Sequence, residues 1–573
     1  MVDAQRTQSW WWDGVWLLVW AAASAVWCIT AAQQLSATFD EPFYVASGLE
    51  GWRTGSHATL LRKGTMPLSA DLQALPLYLW ERWNGVPFDP QADLHRLLPW
   101  ARAATLVFWG LVLLYGMLAA RHIGGVWAGR LAVALLACEP SLLAHASLAT
   151  TDVAVSACLL GLAYHFRVAR QTGWPRRVAV PAAWYAAALL AKASALLIGP
   201  LWLLVVEIER LGRAAAAPRG RWPHLPPGVV WRAFARDCGW IVSIGLLIVF
   251  LYCGSDWRPE PSFVAWAHGL RDAPLAGSMV WLAEHLRIFS NAGEGVVRQI
   301  THNIRGHGAY VLGHTDARAL WYYFPVVFTI KLSEPVLLAP LLVAAVRPRT
   351  LVNWACLAAA AVILFSVTFR VQLGVRMILP AVVLLIVGLS AAAANAGRDL
   401  GPRWRTAVVA VAVSAVVWTG FTTLSVWPHG LAYVNRFWGG TWKGYALVTD
   451  SNYDWGQGLF ELRRWVRDRD LGALDVWYFG KDPGVEEPPL RHLPLHRLPL
   501  HTAADVEAAI DGRCLAVSTT ILYGVDPRLE SYRVAATFLR ARQPDARTTT
   551  FFLYDFTRRT GVASFAQCGS AGS

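Results

Sequence analysis

The run VAVPAAWYAAALLAKASALLIGPLWLLVVE, residues 178–207, decides how this chain is threaded. It is longer than one membrane span of about 20 apolar residues and carries Lys192 near its middle. Arginines flank it on both sides: Arg167, Arg170, Arg176 and Arg177 before it, and Arg210, Arg213, Arg219, Arg221, Arg232 and Arg236 after it. Because Arg-rich loops of membrane proteins stay in the cytoplasm, both flanks lie on one side of the bilayer. The pattern therefore predicts two short helices that meet near Lys192.

The composition indicates a membrane protein. Of 573 residues, 55% are hydrophobic and 16% are charged, whereas soluble domains have about 25% charged residues, so much of the surface faces lipid. The 31 tryptophans are typical of residues at the two membrane interfaces. Apolar runs long enough to be considered as spans are 14–34, 101–120, 124–139, 152–166, 178–207, 239–254, 321–346, 351–369, 376–396 and 406–426. With the double crossing, they predict a polytopic α-helical membrane protein of about 11 transmembrane helices with a cytoplasmic N-terminus.

The net charge of +13 does not indicate a nucleic-acid-binding protein. The bases are nearly all arginines, scattered in short loops between apolar runs, which is typical of cytoplasmic loops in membrane proteins. Eight cysteines in a chain of this length are too few for a disulfide scaffold. The charge pattern thus reports topology, with membrane lipids and no nucleic acid among the expected partners.

Two domains are predicted, a membrane domain over 1–427 and a C-terminal domain over 428–573. The membrane domain has two long outer loops, 35–100 and 255–320, which lie on the same side as the C-terminal domain. Strand-like runs at 475–479, 514–519 and 550–556 alternate with helix-like stretches at 457–468 and 527–541, so the C-terminal domain is expected to be a small α/β domain. Its Cys514 and Cys568 lie outside the apolar runs, and the sequence leaves open whether they pair in an oxidising compartment.

Adjacent carboxylates open the first outer loop, in the stretch Thr38-Phe39-Asp40-Glu41-Pro42-Phe43-Tyr44. They follow a membrane helix directly, where exclusion of water can raise the pKa of a carboxyl group towards that of a working general base. An interfacial helix cap, with Asp40 at the N-cap and Pro42 at the first helical position, explains the same spacing equally well.

A second acid, Asp152, lies at the outer mouth of its helix in the stretch His145-Ala-Ser-Leu-Ala-Thr-Thr-Asp152. Taken alone, it is best explained as a helix cap. However, Asp40, Glu41 and Asp152 all lie at outer ends of helices, and ionisable groups at membrane depth are functional by default. Acids at one depth can form one site even when they are distant in sequence.

Cations are expected on the same side of the membrane. Lys192 lies at the hairpin tip, Arg370 and Arg376 flank a short outer turn, and Arg62 and Lys63 lie in the first loop. Snorkelling of Lys192 to the interface is the simpler explanation of that residue. Together, these groups suit a buried anion, and a lipid phosphate is the anion that would reach them.

Other chemical motifs are absent or weak. The sequence has no phosphate-binding G-x-x-x-x-G-K-[ST], no Cys-x-x-Cys and no His-Glu-x-x-His. His302, His307 and His314 are irregularly spaced, which favours solvated loop residues over a metal site. No metal ligands are therefore assigned.

The order of several short motifs resembles a known family. Asp40-Glu41 after the first helix is followed by Met66-Pro67-Leu68 with an amphipathic stretch at 71–84, then Thr151-Asp152, then Leu190-Ala191-Lys192. This order resembles the polytopic, lipid-carrier-dependent glycosyltransferases of the GT-C superfamily, which include protein O-mannosyltransferases and aminoarabinose transferases acting on lipid A. Later stretches are similar to bacterial members: WYYFP (321–325) through Lys331, Gly374-Val375-Arg376 through Pro380, and DSNYDWGQ (450–457). The likeness extends to about residue 480, and the family's paired prolines appear here as Met66-Pro67.

The resemblance implies a glycosyltransferase that uses a polyprenyl-phosphate sugar and an acceptor hydroxyl on protein, lipid or glycan. In an inverting single displacement, Asp40 would be the general base, with Glu41 as its substitute, and Asp152 would orient the acceptor or the sugar. The donor phosphate would be bound by the cations Lys192, Arg376, Arg62, Lys63 and Arg370. The acceptor or the sugar would contact Tyr44 and His145. No cofactor is required, although a divalent metal between Asp40 and Asp152 is compatible with these residues.

The expected location is a bacterial inner membrane, with the active site and the C-terminal domain in the periplasm. A transporter or flippase for a lipid-linked or anionic substrate is the main alternative, because intramembrane charges also line transport paths. The sequence shows no inverted repeat and no corresponding pair of broken helices, which disfavours that alternative. A third alternative is an assembly factor whose outer domain binds a partner.

Overall fold

The computed structural model of the chain describes residues 2–216, 227–270, 275–287, 290–400, 402–524 and 530–557. Cys568, and with it the question of whether Cys514 and Cys568 pair, lies outside this part. The helices are α1 (Val2–Gln34), α2 (Glu41–Thr54), α3 (Ala58–Leu61), α4 (Pro67–Asn84), α5 (Leu94–Gly124), α6 (Val126–Leu136), α7 (Pro140–Ala146), α8 (Asp152–Val168), α9 (Val180–Ala191), α10 (Ala195–Ala216), α11 (Pro227–Cys253), α12 (Pro261–His268), α13 (Ala276–His285), α14 (Ser290–Arg305), α15 (Tyr323–Lys331), α16 (Glu334–Val346), α17 (Trp354–Ser366), α18 (Leu379–Asp399), α19 (Pro402–Ser425), α20 (Leu459–Arg467), α21 (Ala503–Ile510), α22 (Thr519–Tyr523) and α23 (Glu530–Arg540). The strands are β1 (Ala309–Val311), β2 (His314–Asp316), β3 (Leu474–Trp477), β4 (Leu490–His492), β5 (Cys514–Ser518), β6 (Ala546–Arg547) and β7 (Phe551–Asp555).

The predicted polytopic helical fold is confirmed, but the number of evident spans differs from the predicted eleven. Within the described residues, five helices are long and apolar enough to cross a membrane, or up to seven if each of two bent helix pairs counts as one span. The other apolar runs also form helices. However, α8, α9 and α17 are only 12 to 17 residues long, and α10 carries Glu207, Glu209 and Arg210 in its second half.

The two helices predicted for the run 178–207, meeting near Lys192, are present. Helix α9 ends at Ala191, Lys192 has extended backbone, and α10 begins at Ala195. At this turn Lys192 pairs with Asp152 at the start of α8, whereas Glu207 near the far end of α10 pairs with Arg170 just beyond the end of α8. The two helices therefore run in opposite directions, and both flanks of the run lie at one end of the bundle. This end is called the arginine-rich end below, and the other the cavity end.

Two bent helix pairs meet in the core. Helices α6 and α7 are bent by 67°, and α15 and α16 by 105°. The carboxylate of Glu139, at the first bend, accepts hydrogen bonds from Ser333 Oγ (2.6 Å) and N (3.2 Å) at the second. Lys331 Nζ donates to the carbonyl oxygens of Leu431 (2.8 Å) and Asn452 (2.7 Å). These bonds satisfy polar groups that the bends expose, and they fasten the 431–452 segment to the bundle.

The predicted α/β domain is confirmed in the C-terminal part. Its five-stranded sheet has the order β4-β3-β5-β7-β6, with β3 parallel to β4 and β5, and β7 antiparallel to β5 and β6. The runs 475–479, 514–519 and 550–556 correspond to β3, β5 and β7, each fully buried. Alternate residues face two apolar layers, as in Val476 on one side and Trp477 on the other.

The sheet domain is attached next to the start of the first outer loop. Ser36 Oγ donates to the Gly456 carbonyl oxygen (3.0 Å) and accepts from Leu459 N (3.0 Å). The amide of Ala37 donates to Asp482 Oδ2 (2.8 Å). The residues just before Asp40 are thus held by the C-terminal part of the chain. Residues of the 432–453 segment pack in the core of the helical part, and the boundary at 427/428 stays a prediction.

Candidate functional site

A cavity of about 800 Å³ lies at the cavity end, where the outer loops, the helical bundle and the C-terminal domain meet. The first loop, the α9–α10 turn and the start of the central helix α18 each contribute to its wall, and the C-terminal domain closes one side. Its polar and aromatic lining includes Asp40, Tyr44, Lys63, Lys192, His302, His307, Tyr310, Tyr323, Arg376, Asp450, Trp455, Lys481 and Thr520. Segments hundreds of residues apart are therefore brought to one site.

Asp40 forms an ion pair with Arg376 in this cavity. Arg376 Nη1 lies 3.0 Å from Asp40 Oδ2, and its Nε donates to the Leu373 carbonyl oxygen at 3.0 Å. The guanidinium lies over the ring of Trp455, with its carbon 4.1 Å from the ring centroid, in a cation–π contact. Asp40 occupies the N-cap position of α2 but makes no capping hydrogen bond. The geometry therefore favours a role in the cavity over a helix cap.

The second predicted acid, Asp152, pairs with Lys192. Lys192 Nζ donates to Asp152 Oδ1 at 2.6 Å, and it also contacts the Met377 sulfur at 3.6 Å. Asp152 is fully buried at the start of α8, and Oδ2 has no hydrogen-bond partner among the described residues. Lys192 itself lines the cavity. The lysine is thus directed inward to an acid and does not simply reach for the interface.

Glu41, although adjacent to Asp40, belongs to a closed structural pair and does not line the cavity. Arg102 donates to both of its oxygens, Nε to Oε1 (2.8 Å) and Nη2 to Oε2 (2.7 Å), and the amides of Thr38 and Ala149 add 2.8 Å bonds. Burial opposes ionisation, but Arg102 and these bonds outweigh it and hold the pKa of Glu41 below its usual value. The structure therefore does not support Glu41 as a substitute base, because no oxygen is left for a substrate.

The remaining predicted contacts divide between the cavity and its surroundings. Tyr44 and Lys63 line the cavity, with Tyr44 Oη 3.5 Å from Asp40 Oδ2. Arg62 is exposed and does not line it. Arg370 also lies outside, where its amide and guanidinium bond to Asn303 and Ile304 of the neighbouring α14. His145 is buried behind the wall. The structure thus brings Asp40, Tyr44, Lys63, Lys192 and Arg376 to the cavity lining. Glu41, Arg62, Arg370 and His145 lie outside the lining, and Asp152 contacts it only through Lys192.

Asp450 is a cavity residue to which the sequence analysis assigned no role. It lies in the 450–457 stretch and has φ of 56°, a left-handed backbone conformation that non-glycine residues rarely adopt. Burial raises its pKa above the usual value for an aspartate. The sequence signal was the DSNYDWGQ stretch, but a left-handed aspartate cannot be recognised from it. Lys481 and Thr520, from the C-terminal domain, were also missed.

The residues do not form an evident metal site. Among the described residues, no group of three or more His, Cys, Asp and Glu side chains is close enough to hold a metal ion. Asp40 and Asp152 are already paired with Arg376 and Lys192, so a divalent ion between the two carboxylates would have to displace these ion pairs. His302 and His307 do lie together, with ring centroids 5.1 Å apart.

No protein-family model matches the sequence, and no curated protein matches it either. Solved structures with a similar fold include ArnT from Cupriavidus metallidurans bound to undecaprenyl phosphate, at 14% identity, covering 95% of this chain and 98% of that chain, with a TM-score of 0.43. Another is the archaeal oligosaccharyltransferase AglB from Archaeoglobus fulgidus with an inhibitory peptide and a dolichol-phosphate, at 10% identity, covering 89% of this chain and 71% of that one, with a TM-score of 0.48.

A shorter match is the protein O-mannosyltransferase Pmt1-Pmt2 complex of S. cerevisiae bound to the sugar donor. It is 14% identical, covers 44% of this chain and 36% of that one, and has a TM-score of 0.33. These likenesses concern the fold.

Proposed function

We propose that this chain is an integral-membrane glycosyltransferase that transfers a sugar from a polyprenyl-phosphate carrier to an acceptor hydroxyl. The observation that carries the proposal is the cavity at the end of an apolar helical bundle, lined by both a carboxylate and cations. A lipid-linked donor needs this combination, because its chain remains in the bilayer while its phosphate requires positive charge. The carboxylate of Asp40, in the same cavity, supplies a proton acceptor.

The proposed reaction is a single displacement that inverts the anomeric carbon. The acceptor oxygen forms a bond to that carbon while the bond from carbon to the phosphate oxygen breaks. The acceptor proton moves to Asp40, and the electron pair of the broken bond leaves with the polyprenyl phosphate. General-base assistance of this kind contributes about 10²- to 10⁴-fold to a rate. No nucleotide is needed, because the phosphate carrier already provides a leaving group.

The cations stabilise the negative charge that grows on the departing phosphate. Lys192 Nζ bonds to one Asp152 oxygen and so retains donor capacity towards the cavity. Arg376 uses Nη1 and Nε in the described bonds, and Nη2 makes none among the described residues. Lys63, from the first loop, also lines the cavity. Fixed cations in a partly enclosed site act more strongly on developing charge than they would in water.

The membrane side is proposed from charge. Of the arginines that flank 178–207, Arg170, Arg177 and Arg210 lie at the end opposite the cavity, and such clusters stay in the cytoplasm. The cavity and the C-terminal domain would then face the periplasm of a bacterial inner membrane, and the N-terminus the cytoplasm. The acceptor class, whether protein, lipid or glycan, is left to experiment.

The test uses the purified full chain in proteoliposomes with a panel of radiolabelled undecaprenyl-phosphate sugars. Transfer of label to a hydroxyl acceptor supports the proposal. Movement of the labelled lipid across the bilayer without transfer would identify a flippase, and neither result would point to an assembly factor. For Asp40→Asn we expect the transfer rate to fall by about 10²- to 10⁴-fold with carrier binding largely retained.

A matched control is Glu50→Gln, which removes an exposed carboxylate from the same helix α2, outside the cavity. Glu50 accepts a hydrogen bond from Thr59 at 2.9 Å and is expected to be dispensable. Near-wild-type turnover by Asp40→Asn would rule out Asp40 as the base.

A further inference from the structure

We infer that Asp450 binds a hydroxyl group of the transferred sugar and thereby helps to determine which sugar the enzyme accepts. The inference rests on the proposed function, since it names the part of the donor that this residue recognises. Three observations carry it: a strained backbone, surroundings that hold this backbone in place, and a carboxylate oxygen left free in the cavity.

The backbone of Asp450 is held in a conformation that the chain would not adopt without cause. Its φ is 56°, in the left-handed region where only glycine is unstrained. Aspartate and asparagine tolerate this region better than other residues do, but it remains costly for them. Such strain persists only where the surrounding structure imposes it, and it clusters at active and ligand-binding sites.

The surroundings impose this conformation from three directions. From the C-terminal domain, Thr520 Oγ1 accepts from Asp450 N at 2.9 Å. From the short turn just before helix α18, Val375 N donates to Asn452 Oδ1 at 2.8 Å. From the bend between α15 and α16, Lys331 Nζ donates to the Asn452 carbonyl oxygen at 2.7 Å. The segment is therefore fixed jointly by the membrane helices and the C-terminal domain.

The carboxylate of Asp450 differs from the other acids of the site in having free capacity. Its Oδ1 accepts a 2.6 Å bond from Ser451 N. Within the described part of the chain, Oδ2 receives no hydrogen bond and Asp450 forms no ion pair, whereas Asp40 and Asp152 are each paired with a cation. Asp450 nevertheless lines the same cavity as Arg376.

Charge determines which part of the donor such a group contacts. A carboxylate repels the phosphate of the carrier, but it is a strong acceptor for a hydroxyl hydrogen. The sugar lies between the phosphate and the acceptor, so a carboxylate that lines the same cavity as Asp40 and Arg376 would meet its hydroxyls. A hydrogen bond to a charged group that is lost on mutation corresponds to about a 10- to 100-fold change in affinity.

The experiment compares binding of two probes to the full chain in detergent: undecaprenyl phosphate without sugar, and the glycosylated carrier that the wild-type protein prefers from a panel. Asp450→Asn keeps the side-chain shape, the acceptor for Ser451 and tolerance of positive φ. We expect this variant to bind undecaprenyl phosphate within about twofold of wild type and the glycosylated carrier about 10- to 100-fold more weakly. The variant should also discriminate less between the different sugars in the panel.

Two further variants separate sugar contact from structural support. Asp450→Gly removes the carboxylate and also relieves the backbone strain, so it should lose the same selectivity. Asp316→Asn alters an exposed carboxylate of the cavity rim whose Oδ1 is occupied by the amides of Arg318 and Ala319, and it should bind both probes normally.

Equal weakening of both probes by Asp450→Asn, or no change in either, would overturn the inference, as would selectivity retained by Asp450→Gly. A wild-type chain that binds neither probe would instead overturn the proposed function, and the inference with it. Only the inference would be overturned if the wild-type chain binds undecaprenyl phosphate and Asp450→Asn binds the glycosylated carrier as tightly as wild type does.

Discussion

The two ends of the helical bundle both hold buried ion pairs, but they differ in what those pairs leave free. At the arginine-rich end, both oxygens of Glu207 accept bonds from Arg170 and Arg210, and Asp237 pairs with Arg170 at 2.8 Å. At the cavity end, the Asp40–Arg376 pair faces an open volume of about 800 Å³. Buried charge alone therefore does not indicate a site. A site is indicated by charged groups that still have hydrogen-bond donors or acceptors free to face a cavity.

The Glu41–Arg102 pair shows that enclosure of an ion pair, and not its position at one end of the bundle, decides whether hydrogen-bonding capacity is left free. It lies at the cavity end beside Asp40, yet Arg102 and two backbone amides saturate the carboxylate. The arginine also donates to the carbonyl oxygens of Leu35 (2.8 Å) and Ser36 (2.8 Å), which hold the loop before Asp40. Glu41 thus resembles Glu207 in role although it neighbours Asp40 in sequence.

The largest effect that we expect in a test of this comparison is the loss of folding stability in Glu41→Gln. The variant leaves the Arg102 guanidinium buried without a counter-charge, which typically costs about 3 to 5 kcal/mol. Asp40→Asn should cost about 1 kcal/mol or less, because Arg376 still faces the cavity and the Trp455 ring. Thermal unfolding in detergent micelles measures both. Equal loss of stability in the two variants would mean that the neighbouring acids are not distinguished by enclosure.

Much of the architecture could be predicted because it follows from local patterns. Each long apolar run forms one or two helices, because the N–H and C=O groups of a buried or lipid-facing backbone must hydrogen-bond to each other. The turn at Lys192 followed from arginine on both flanks, and β3, β5 and β7 followed from short apolar runs between helix-like stretches. Within the described residues five to seven helices are long and apolar enough to cross a membrane, fewer than the predicted eleven, because several of the apolar runs form helices of only 12 to 17 residues.

The roles of individual charged residues could not be predicted, because they depend on partners far away in sequence. Glu41 is saturated by Arg102, 61 residues later, and Asp40 is paired with Arg376, 336 residues later. Arg370 was grouped with Arg376, but its guanidinium bonds to α14 outside the cavity. Asp450 was missed because its left-handed backbone is imposed by Thr520 and other distant contacts.

A smaller effect is expected for Lys192→Ala, which tests whether the cavity cations serve a ligand. Binding of undecaprenyl phosphate should weaken about 10-fold, since one charge-assisted hydrogen bond is lost. Arg170→Gln removes a more deeply buried cation, but from the enclosed arginine-rich end, so it should lower the unfolding temperature and leave this affinity unchanged. If Lys192→Ala leaves both affinity and transfer rate unchanged, its assigned phosphate role is wrong.

The smallest expected effect concerns Asp482, an enclosed carboxylate at the cavity end that joins the C-terminal domain to the first loop. Its oxygens accept from Ala37 N (2.8 Å) and Gly484 N (2.9 Å), and it bonds to the His95 ring (2.7 Å). Burial raises the pKa of Asp482, but the His95 hydrogen bond and charge and the two amides outweigh it, so its pKa lies below the usual value.

A carboxylate with a depressed pKa stabilises the folded chain at pH values above its unfolded pKa of about 3.9, and this contribution disappears as pH falls through the folded pKa. Asp482→Asn should therefore be less stable than wild type by about 1 kcal/mol between pH 5 and 7, with the difference shrinking below about pH 4. Paired thermal unfolding curves across this range provide the measurement. A difference that persists unchanged in acid would mean that shape, and not the ionised carboxylate, holds the domain beside Asp40.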